Sequence, residues 1–382
     1  MKKYNFDDVV NRRNTSSSKW DVLDNELPMW VADMDFHVLP EIKEAIVKKA
    51  NVDAYGYSEV PNELFEAYIS WWKYLHNVTF KREEMIYCSG VIASLDVIFK
   101  YLTSKGDGIT LLTPVYNVFY SCIKNNGLKL NLVSFIRKEN HFEINWLKLE
   151  KALKKSKVLL LCNPHNPLGR LFTYDELKRI VSLAKENKVL IISDEIHCDL
   201  TDPEKSYVSI LKFTNYKKII TLLSPSKAFN VAGLQSSVIV TKDKRLHDLL
   251  QKAVYKEDVG EPNYFACDVV IAAYTKGYEY IKELNEYIYL NKCYVKSFIE
   301  QYIPHLTLID SEATYLLWID VSYYSNNSEV FASSLRKETG LYVSNGLQYG
   351  KEGSAFIRLN IATSLKNVKD AMNRLLKFVS NK

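Results

Sequence analysis

The sequence SPSKAFN occupies residues 224–230 and directly follows the apolar run Ile219–Leu223. This run predicts a short buried strand, which Pro225 ends. A lysine at the end of a buried strand is held away from bulk water, so desolvation lowers its pKa and makes a neutral, nucleophilic amine available. Most lysines of this lysine-rich chain are solvated surface charges, so the interpretation of Lys227 depends on what else lies near it.

Apolar runs alternate with segments of helical periodicity on both sides of this stretch. Thr173 and Glu176 form a capping-box pattern that opens one such helix. Strands interleaved with helices predict an open, mostly parallel α/β sheet, which binds ligands at the carboxyl ends of its strands. The predicted strands are Met85–Cys88, Gly108–Leu112, Lys157–Cys162, Val189–Ser193, Ile219–Leu223 and Ser237–Val240.

The end of the chain predicts a second, smaller unit. Tyr280–Tyr302 has the spacing of a long helix, and short alternating strands follow Pro304, at Tyr315–Ile319 and Ala355–Ile361. A length of 382 residues agrees with two domains. We therefore predict a large α/β domain and a smaller α+β domain.

Composition and charge limit the partners and the location. A hydrophobic fraction of 47% with 25% charged residues is ordinary for a soluble globular protein. The net charge of +5 is spread without a long basic block, so we expect anionic substrates rather than a nucleic-acid partner. Six separated cysteines without a CxxC pair predict reduced thiols in a cytoplasmic protein. The N-terminus lacks a signal-peptide core, and no apolar run approaches the ~18 residues of a membrane span.

Two residues that could bind a ligand, Gly90 and Asp194, lie at the ends of other predicted strands. Gly90 lies where a strand gives way to a helix, and a residue without a side chain lets backbone N–H groups approach a phosphate closely. Ser224 and Ser226 could supply hydroxyl donors to the same anion. Asp194 follows a strand that should be buried, and a buried carboxylate needs a partner. That partner could be a protonated ring nitrogen, a helix terminus or one of the lysines.

The sequence disfavours three other kinds of site: an ATPase site, a metal site and a dinucleotide-binding site. The sequence DEIH at residues 194–197 is similar to the acidic box of helicase-type ATPases, but no GxxxxGK[ST] loop precedes it. A metal site from Asp194, Glu195, His197 and Cys198 would need side chains of consecutive strand residues to converge, whereas they point to opposite faces. GxGxxG is absent, which disfavours a dinucleotide fold. We predict no metal.

A strand-end lysine, a buried aspartate and a glycine at a helix start together match the needs of pyridoxal phosphate (PLP). Three further stretches carry a family resemblance: CNPHNPLGR at 162–170, SDEIHCDL at 193–200 and PSKAFNVAGL at 225–234. The chain resembles the PLP-dependent aminotransferase superfamily of fold type I, and within it the MalY/PatB-type cystathionine β-lyase (C–S lyase) branch. The resemblance implies a mostly parallel seven-stranded sheet between helices in a large domain over residues 46–285. Residues 1–45 and 286–382 would form the small domain.

The resemblance also implies how the cofactor is held. Lys227 would form an aldimine with PLP, Asp194 would pair with its pyridine nitrogen, and Tyr116 would stack on its ring. The remaining cofactor-binding residues would be Asn163, Asn166 and His197 around the ring, and Gly90, Val91, Ile92, Ser224 and Ser226 around the phosphate. Tyr57 would reach this site from the other subunit of a homodimer.

The resemblance implies that two stretches, near the start and the end of the chain, bind the substrate. Arg358, in FIRLNIA at 356–362, would clamp the carboxylate of an amino-acid substrate with its planar fork. Trp30, Ala32 and Asp33, in LPMWVADMDF at 27–36, would form a wall of the pocket.

Two departures from the superfamily pattern affect these expectations. His197 stands where many aminotransferases carry tyrosine, which is a mark of the lyase branch. Gln235 stands where many relatives carry an arginine eight residues after the lysine, so the resemblance does not determine the full set of phosphate ligands.

The expected reaction is removal of a Cα proton by Lys227 and expulsion of a thiolate from Cβ, which yields pyruvate and ammonia. Cystathionine, cysteine or related S-substituted cysteines would be the substrates. An aminotransferase shares the first steps and is the alternative. A non-catalytic regulator is a third possibility, although a scaffold needs neither Lys227 nor Asp194 nor Arg358.

Overall fold

The computed structural model describes residues 3–381, and these form a mixed α/β fold. The helices are α1 (Pro40–Ala50), α2 (Asn62–His76), α3 (Val91–Leu102), α4 (Asn117–Asn125), α5 (Trp146–Leu153), α6 (Tyr174–Glu186), α7 (Lys244–Lys256), α8 (Ala266–Lys276), α9 (Tyr278–Tyr302), α10 (Ser328–Thr339) and α11 (Leu365–Val379). The strands are β1 (Leu27–Pro28), β2 (Met85–Cys88), β3 (Gly108–Thr113), β4 (Lys129–Ser134), β5 (Ile136–Lys138), β6 (His141–Glu143), β7 (Val158–Cys162), β8 (Leu190–Asp194), β9 (Ile219–Leu223), β10 (Ser237–Val240), β11 (Thr307–Leu308), β12 (Leu316–Asp320), β13 (Leu341–Tyr342), β14 (Ser344–Asn345) and β15 (Phe356–Asn360).

Seven strands form the central sheet, in the order β2-β10-β9-β8-β7-β3-β4. The pairs from β9 to β4 are parallel, whereas β10 runs antiparallel to both β9 and β2. The predicted fold class, a mostly parallel sheet of seven strands, is therefore confirmed. Because β10 is reversed, its first residues lie at the edge where the other strands end.

Helices cover both faces of this sheet, which explains why its strands other than β4 are largely apolar. In β7, Leu160 packs in the cluster that includes residues of α3, α4 and α7, whereas Leu159 and Leu161 pack with residues of α5 and α6. Successive side chains of a strand point to opposite faces, so both sets must be apolar when both faces are buried.

A second sheet has the order β11-β12-β15-β14 and is antiparallel throughout. All its strands lie between residues 307 and 360, as the sequence predicts for the smaller unit. The domain boundaries at 46 and 285 stay a prediction, and the second falls inside the continuous helix α9. Within residues 3–381, no helix is long and apolar enough to cross a membrane.

Candidate active site

The polar residues that follow the strands of the central sheet surround one cavity of about 320 Å³. Asp194 ends β8, Lys227 lies in the turn after β9, and Gly90 separates β2 from α3. Carboxyl ends of parallel strands meet at one edge of a sheet, which brings these distant residues together. The predicted site residues that line the cavity are Ala32, Gly90, Val91, Ile92, Tyr116, Asn166, Asp194, His197, Ser224, Ser226 and Lys227.

Lys227 donates a hydrogen bond from Nζ to the backbone carbonyl of Ala32, at 2.8 Å. Tyr315 donates its hydroxyl to the same carbonyl oxygen, at 3.1 Å. Burial is the largest cause that lowers the pKa of Lys227, and the positive charge of Arg358 lowers it further. The amine of Lys227 therefore loses its proton more readily than that of a surface lysine, as the sequence predicts.

Asp194 is buried, and its Oδ1 accepts a hydrogen bond from the backbone N–H of Ile196 at 3.1 Å. Burial raises the pKa of this carboxyl group to about 7, although that hydrogen bond and the charge of Lys227 oppose the shift. A carboxylate in this position is stabilised when a cationic partner enters the cavity.

His197 and Asp194 both line the cavity, and the buried Nδ1 of His197 has no hydrogen-bond partner in the part of the chain that the structure describes. Burial is the main cause that lowers the pKa of His197 to about 3, and the charges of Lys227 and Arg358 add to it. The imidazole is therefore neutral at physiological pH. A neutral ring with a free Nδ1 can donate a hydrogen bond to, or accept one from, a group inside the cavity.

Glu195, between these two residues, points away from the cavity. Its carboxylate accepts hydrogen bonds from the hydroxyl groups of Ser193, Tyr207 and Ser209. The acidic pair at 194–195 is thus divided between two environments, although only Asp194 belongs to β8, so the strand alternation expected for residues 194–198 does not apply beyond it.

One group of metal-ligating residue types lies outside this cavity: donor atoms of His76, Cys198 and Asp199 fall within 4.8 Å of one another. Asp199 Oδ1 accepts a hydrogen bond from the Trp71 indole at 3.0 Å and lies 2.7 Å from His76 Nε2. These contacts account for the buried carboxylate as part of a hydrogen-bonded cluster.

The end of the cavity near α3 has the features of an anion site. An ideal Cβ placed on Gly90 would meet no other atom within 4 Å, so the space in front of the helix N-terminus is open. Ser224 Oγ donates to the carbonyl of Ser236 at 2.6 Å and lies 3.0 Å from Ser226 Oγ. The hydroxyl of Ser236 is buried, and none of the described residues forms a hydrogen bond with it. Backbone N–H groups and hydroxyls are therefore the donors available to an anion here.

Arg358 is buried on β15, behind Asn166. Its Nη1 donates to Asn166 Oδ1 at 3.1 Å and its Nη2 donates to the carbonyl of Trp30 at 2.7 Å, whereas its Nε has no partner among residues 3–381. The guanidinium also lies 4.8 Å from the centroid of the Tyr349 ring. A buried, permanently charged donor with one free N–H is suited to a substrate carboxylate.

Five predicted site residues do not line the cavity: Arg358, whose contacts are given above, and Asn163, Tyr57, Trp30 and Asp33. Asn163 donates its amide to the carbonyl of Val208, and Tyr57 is fully exposed on the loop before α2. Trp30 stacks on Tyr342, and Asp33 forms an ion pair with Arg12 at 2.8 Å. Their proposed roles in binding stay predictions.

Several lining residues were not predicted as part of the site, among them Cys162, Ile196 and Ser236. Gln235, which was noted only as a departure, also lines the cavity. Gln235 and Ser236 reach it because β10 is antiparallel and begins at this edge. Their position directly before a short strand was visible in the sequence, but the direction of that strand was not.

Comparisons with known proteins agree with this geometry. The chain matches the family described as "Aminotransferase class I and II" over residues 27–375. It is 31% identical to Cystathionine beta-lyase PatB of Bacillus subtilis (strain 168), over 97% of this chain and 98% of that protein. A PLP-bound C-S lyase structure from Staphylococcus hominis superimposes with a TM-score of 0.93 at 32% identity, covering 98% of each chain. A PLP-bound structure from Clostridium difficile 630, described as an aminotransferase, has a TM-score of 0.95 at 34% identity, over 98% of this chain and 99% of that one.

Proposed function

Because this chain belongs to the aminotransferase class I and II family, we propose that it is a PLP-dependent carbon–sulfur β-lyase. It would cleave cystathionine, cysteine or related S-substituted cysteines to pyruvate, ammonia and a thiol. One observation carries the proposal: the Lys227 amine and the Asp194 carboxylate, each with a pKa shifted by burial, line the same cavity. The names of the similar proteins from Bacillus subtilis and Staphylococcus hominis favour carbon–sulfur lysis as the reaction.

The residues of the cavity fit the proposed cofactor. Lys227 would hold its aldehyde carbon, and Asp194 would face its pyridine nitrogen. The unpartnered Nδ1 of His197 and the unpartnered hydroxyl of Ser236 are buried polar atoms that a polar ligand would satisfy. Open space at Gly90 leaves room for a phosphate at the N-terminus of α3. A volume of about 320 Å³ lies at the lower end of the range for small-molecule sites.

When bound, PLP supplies an electron sink for negative charge at Cα of the substrate. Lys227 removes the proton from Cα, for which its amine must be neutral. Asp194 keeps a proton at the ring nitrogen through its negative charge. Breaking the C–H bond at Cα and the C–S bond at Cβ releases the thiolate, and hydrolysis of the remaining fragment gives pyruvate and ammonia.

Arg358 binds the substrate α-carboxylate in this proposal. Arg358→Ala is expected to raise KM for amino-acid substrates about 10- to 100-fold, because a hydrogen bond to a charged group contributes ~1.5–3 kcal/mol. Steady-state kinetics with cystathionine measure this change. Arg336→Ala is the matched control, since Arg336 also lies over an aromatic ring, that of Tyr342, but pairs with Glu26. Equal KM values for wild type and Arg358→Ala would place the carboxylate site elsewhere.

An aminotransferase is the second candidate, since the similar structure from Clostridium difficile is described as one. The lysine, the aspartate and the arginine serve both reactions. The two functions differ in whether the amino group leaves as ammonia or is transferred to a keto acid.

A product assay tests the proposal. The purified protein is incubated with PLP and cystathionine or cysteine, with and without an added keto acid. Pyruvate and free thiol without the keto acid are the expected result. Turnover only with the keto acid would identify an aminotransferase, and no turnover in either case would favour a regulatory protein.

The proposed enzyme acts as a homodimer in the cytoplasm. Tyr57, fully exposed at the surface of one subunit, would complete the cofactor site of the other. Tyr55 and Val52 on the same loop are also exposed, which supports an interface there. The six unpaired cysteines are compatible with a reducing compartment.

A further inference from the structure

Residues Trp30–Met34, which we call the strap, lie against both groups that the proposed reaction needs most. The carbonyl of Trp30 accepts a hydrogen bond from Arg358, and the carbonyl of Ala32 accepts one from Lys227. The carbonyl of Met34 is held by Asn230 at 2.8 Å. Three alternate carbonyls of one segment are thus directed to side chains in or next to the site.

The two carbonyls between them share one donor side chain, that of Asn360, and the carbonyl of Asp33 also accepts a hydrogen bond from Lys19 Nζ at 3.4 Å. Asn360 Nδ2 donates to the carbonyl of Val31 at 2.5 Å and to that of Asp33 at 2.7 Å. The amide oxygen of Asn360 accepts from the backbone N–H of Ala362 at 2.8 Å, so the orientation of the side chain is fixed. Asn360 is almost completely buried, at 1% exposure.

This arrangement leaves little freedom for Ala32. Because Val31 and Asp33 are both tied to Asn360, the carbonyl between them is free to face only the cavity, where Lys227 and Tyr315 donate to it. Asn360 lies two residues after Arg358 on β15, so both side chains are on the same face of that strand.

We propose that Asn360 is a positioning residue, which fixes the strap so that its carbonyls set the places of the Lys227 amine and the Arg358 guanidinium. Asn360 is not among the residues that line the cavity, so it acts through the strap. This inference rests on the proposed function for its consequence in catalysis, whereas the hydrogen bonds that carry it do not depend on any ligand.

The experiment compares Asn360→Ala with a matched control, Asn291→Ala. Asn291 is equally buried, and its Nδ2 also bridges two carbonyls, those of Ile361 and Thr363, but it does not contact the strap. Amide hydrogen exchange of the strap is measured by mass spectrometry in the cofactor-free protein. Asn360→Ala is expected to speed exchange at residues 30–34 at least about tenfold, because the two hydrogen bonds from this buried side chain to the strap are lost. Asn291→Ala should leave it within about twofold.

Kinetics provide the second result. Asn360→Ala should raise KM for an amino-acid substrate about tenfold through Arg358 and lower kcat through Lys227, with both parameters near wild type in Asn291→Ala. If Asn360→Ala does not fold, Asn360→Ser, which keeps one short donor, is measured with the same expectations.

Unchanged exchange in the strap, or equal changes in both asparagine variants, would overturn the positioning role even if the wild-type protein is a lyase. If the wild-type protein has no lyase activity, the proposed function is contradicted. The hydrogen-exchange result then decides by itself whether Asn360 positions the strap.

Discussion

Lys227→Ala is expected to lower turnover of cystathionine at least about 10³-fold, the largest effect of any single substitution in this protein. The variant loses both the covalent attachment of the cofactor and the base that removes the Cα proton, and a general base alone contributes ~10²–10⁴-fold. The visible absorption that PLP acquires on attachment to the protein should also disappear. Both quantities are measured on protein incubated with excess PLP and then freed of unbound cofactor.

Lys218→Ala is the control for this substitution. Lys218 precedes β9 at the opposite end of the strand from Lys227, and its Nζ donates to the carbonyl of Lys188 at the exposed surface. Its replacement should leave the spectrum and the turnover unchanged. An unaltered spectrum in Lys227→Ala would refute the assignment of Lys227, whatever the activity of the variant.

Asp194→Ala is expected to reduce turnover at least ~10²-fold, by analogy with the loss of one preorganised electrostatic group. The substitution removes the negative charge that keeps the ring nitrogen protonated, so the cofactor withdraws electrons less effectively. Asp194→Asn should be similarly impaired, because it preserves the shape of the side chain and an oxygen for the N–H of Ile196 but not the charge. Turnover with cystathionine measures both variants.

Glu195→Gln distinguishes this role from a general effect of removing a buried acid. Glu195 is as buried as Asp194, but its carboxylate faces Tyr207 and Ser209 rather than the cavity. We expect this variant to lose thermal stability, because hydroxyl donors lose a charged acceptor, while it retains most of its turnover. Near-normal turnover in Asp194→Asn would rule out the proposed role of the charge.

The sequence predicted the central sheet well because both faces are buried. Six of its strands are largely apolar runs, and β2, β9 and β10 have the predicted bounds. The seventh, β4, was missed because it lies at the edge of the sheet and contains polar or exposed residues such as Lys129 and Asn131. Hydrophobic periodicity and apolar runs are poor predictors of an edge strand with exposed polar residues.

The candidate site could be predicted in part for a related reason. Lys227, Asp194 and Gly90 each follow a recognisable strand, and the ends of parallel strands share one edge. Asn360 and Tyr315 were not predicted, because their importance depends on contacts with Val31–Asp33, about three hundred residues away in the sequence. The family resemblance implies a wall of the substrate pocket for Trp30, Ala32 and Asp33, but not which side chains hold the strap in place. Its five held carbonyls become apparent when the tertiary structure brings β15 against it.

The central claim is that PLP is attached to Lys227 at the cavity that also contains Asp194. It is tested most directly by reducing the PLP-loaded wild-type protein with borohydride, which converts the attachment into a stable amine, and mapping the labelled peptide by mass spectrometry. The account predicts one phosphopyridoxyl group per chain, on Lys227. A label on a different lysine, or no label at all, would contradict it.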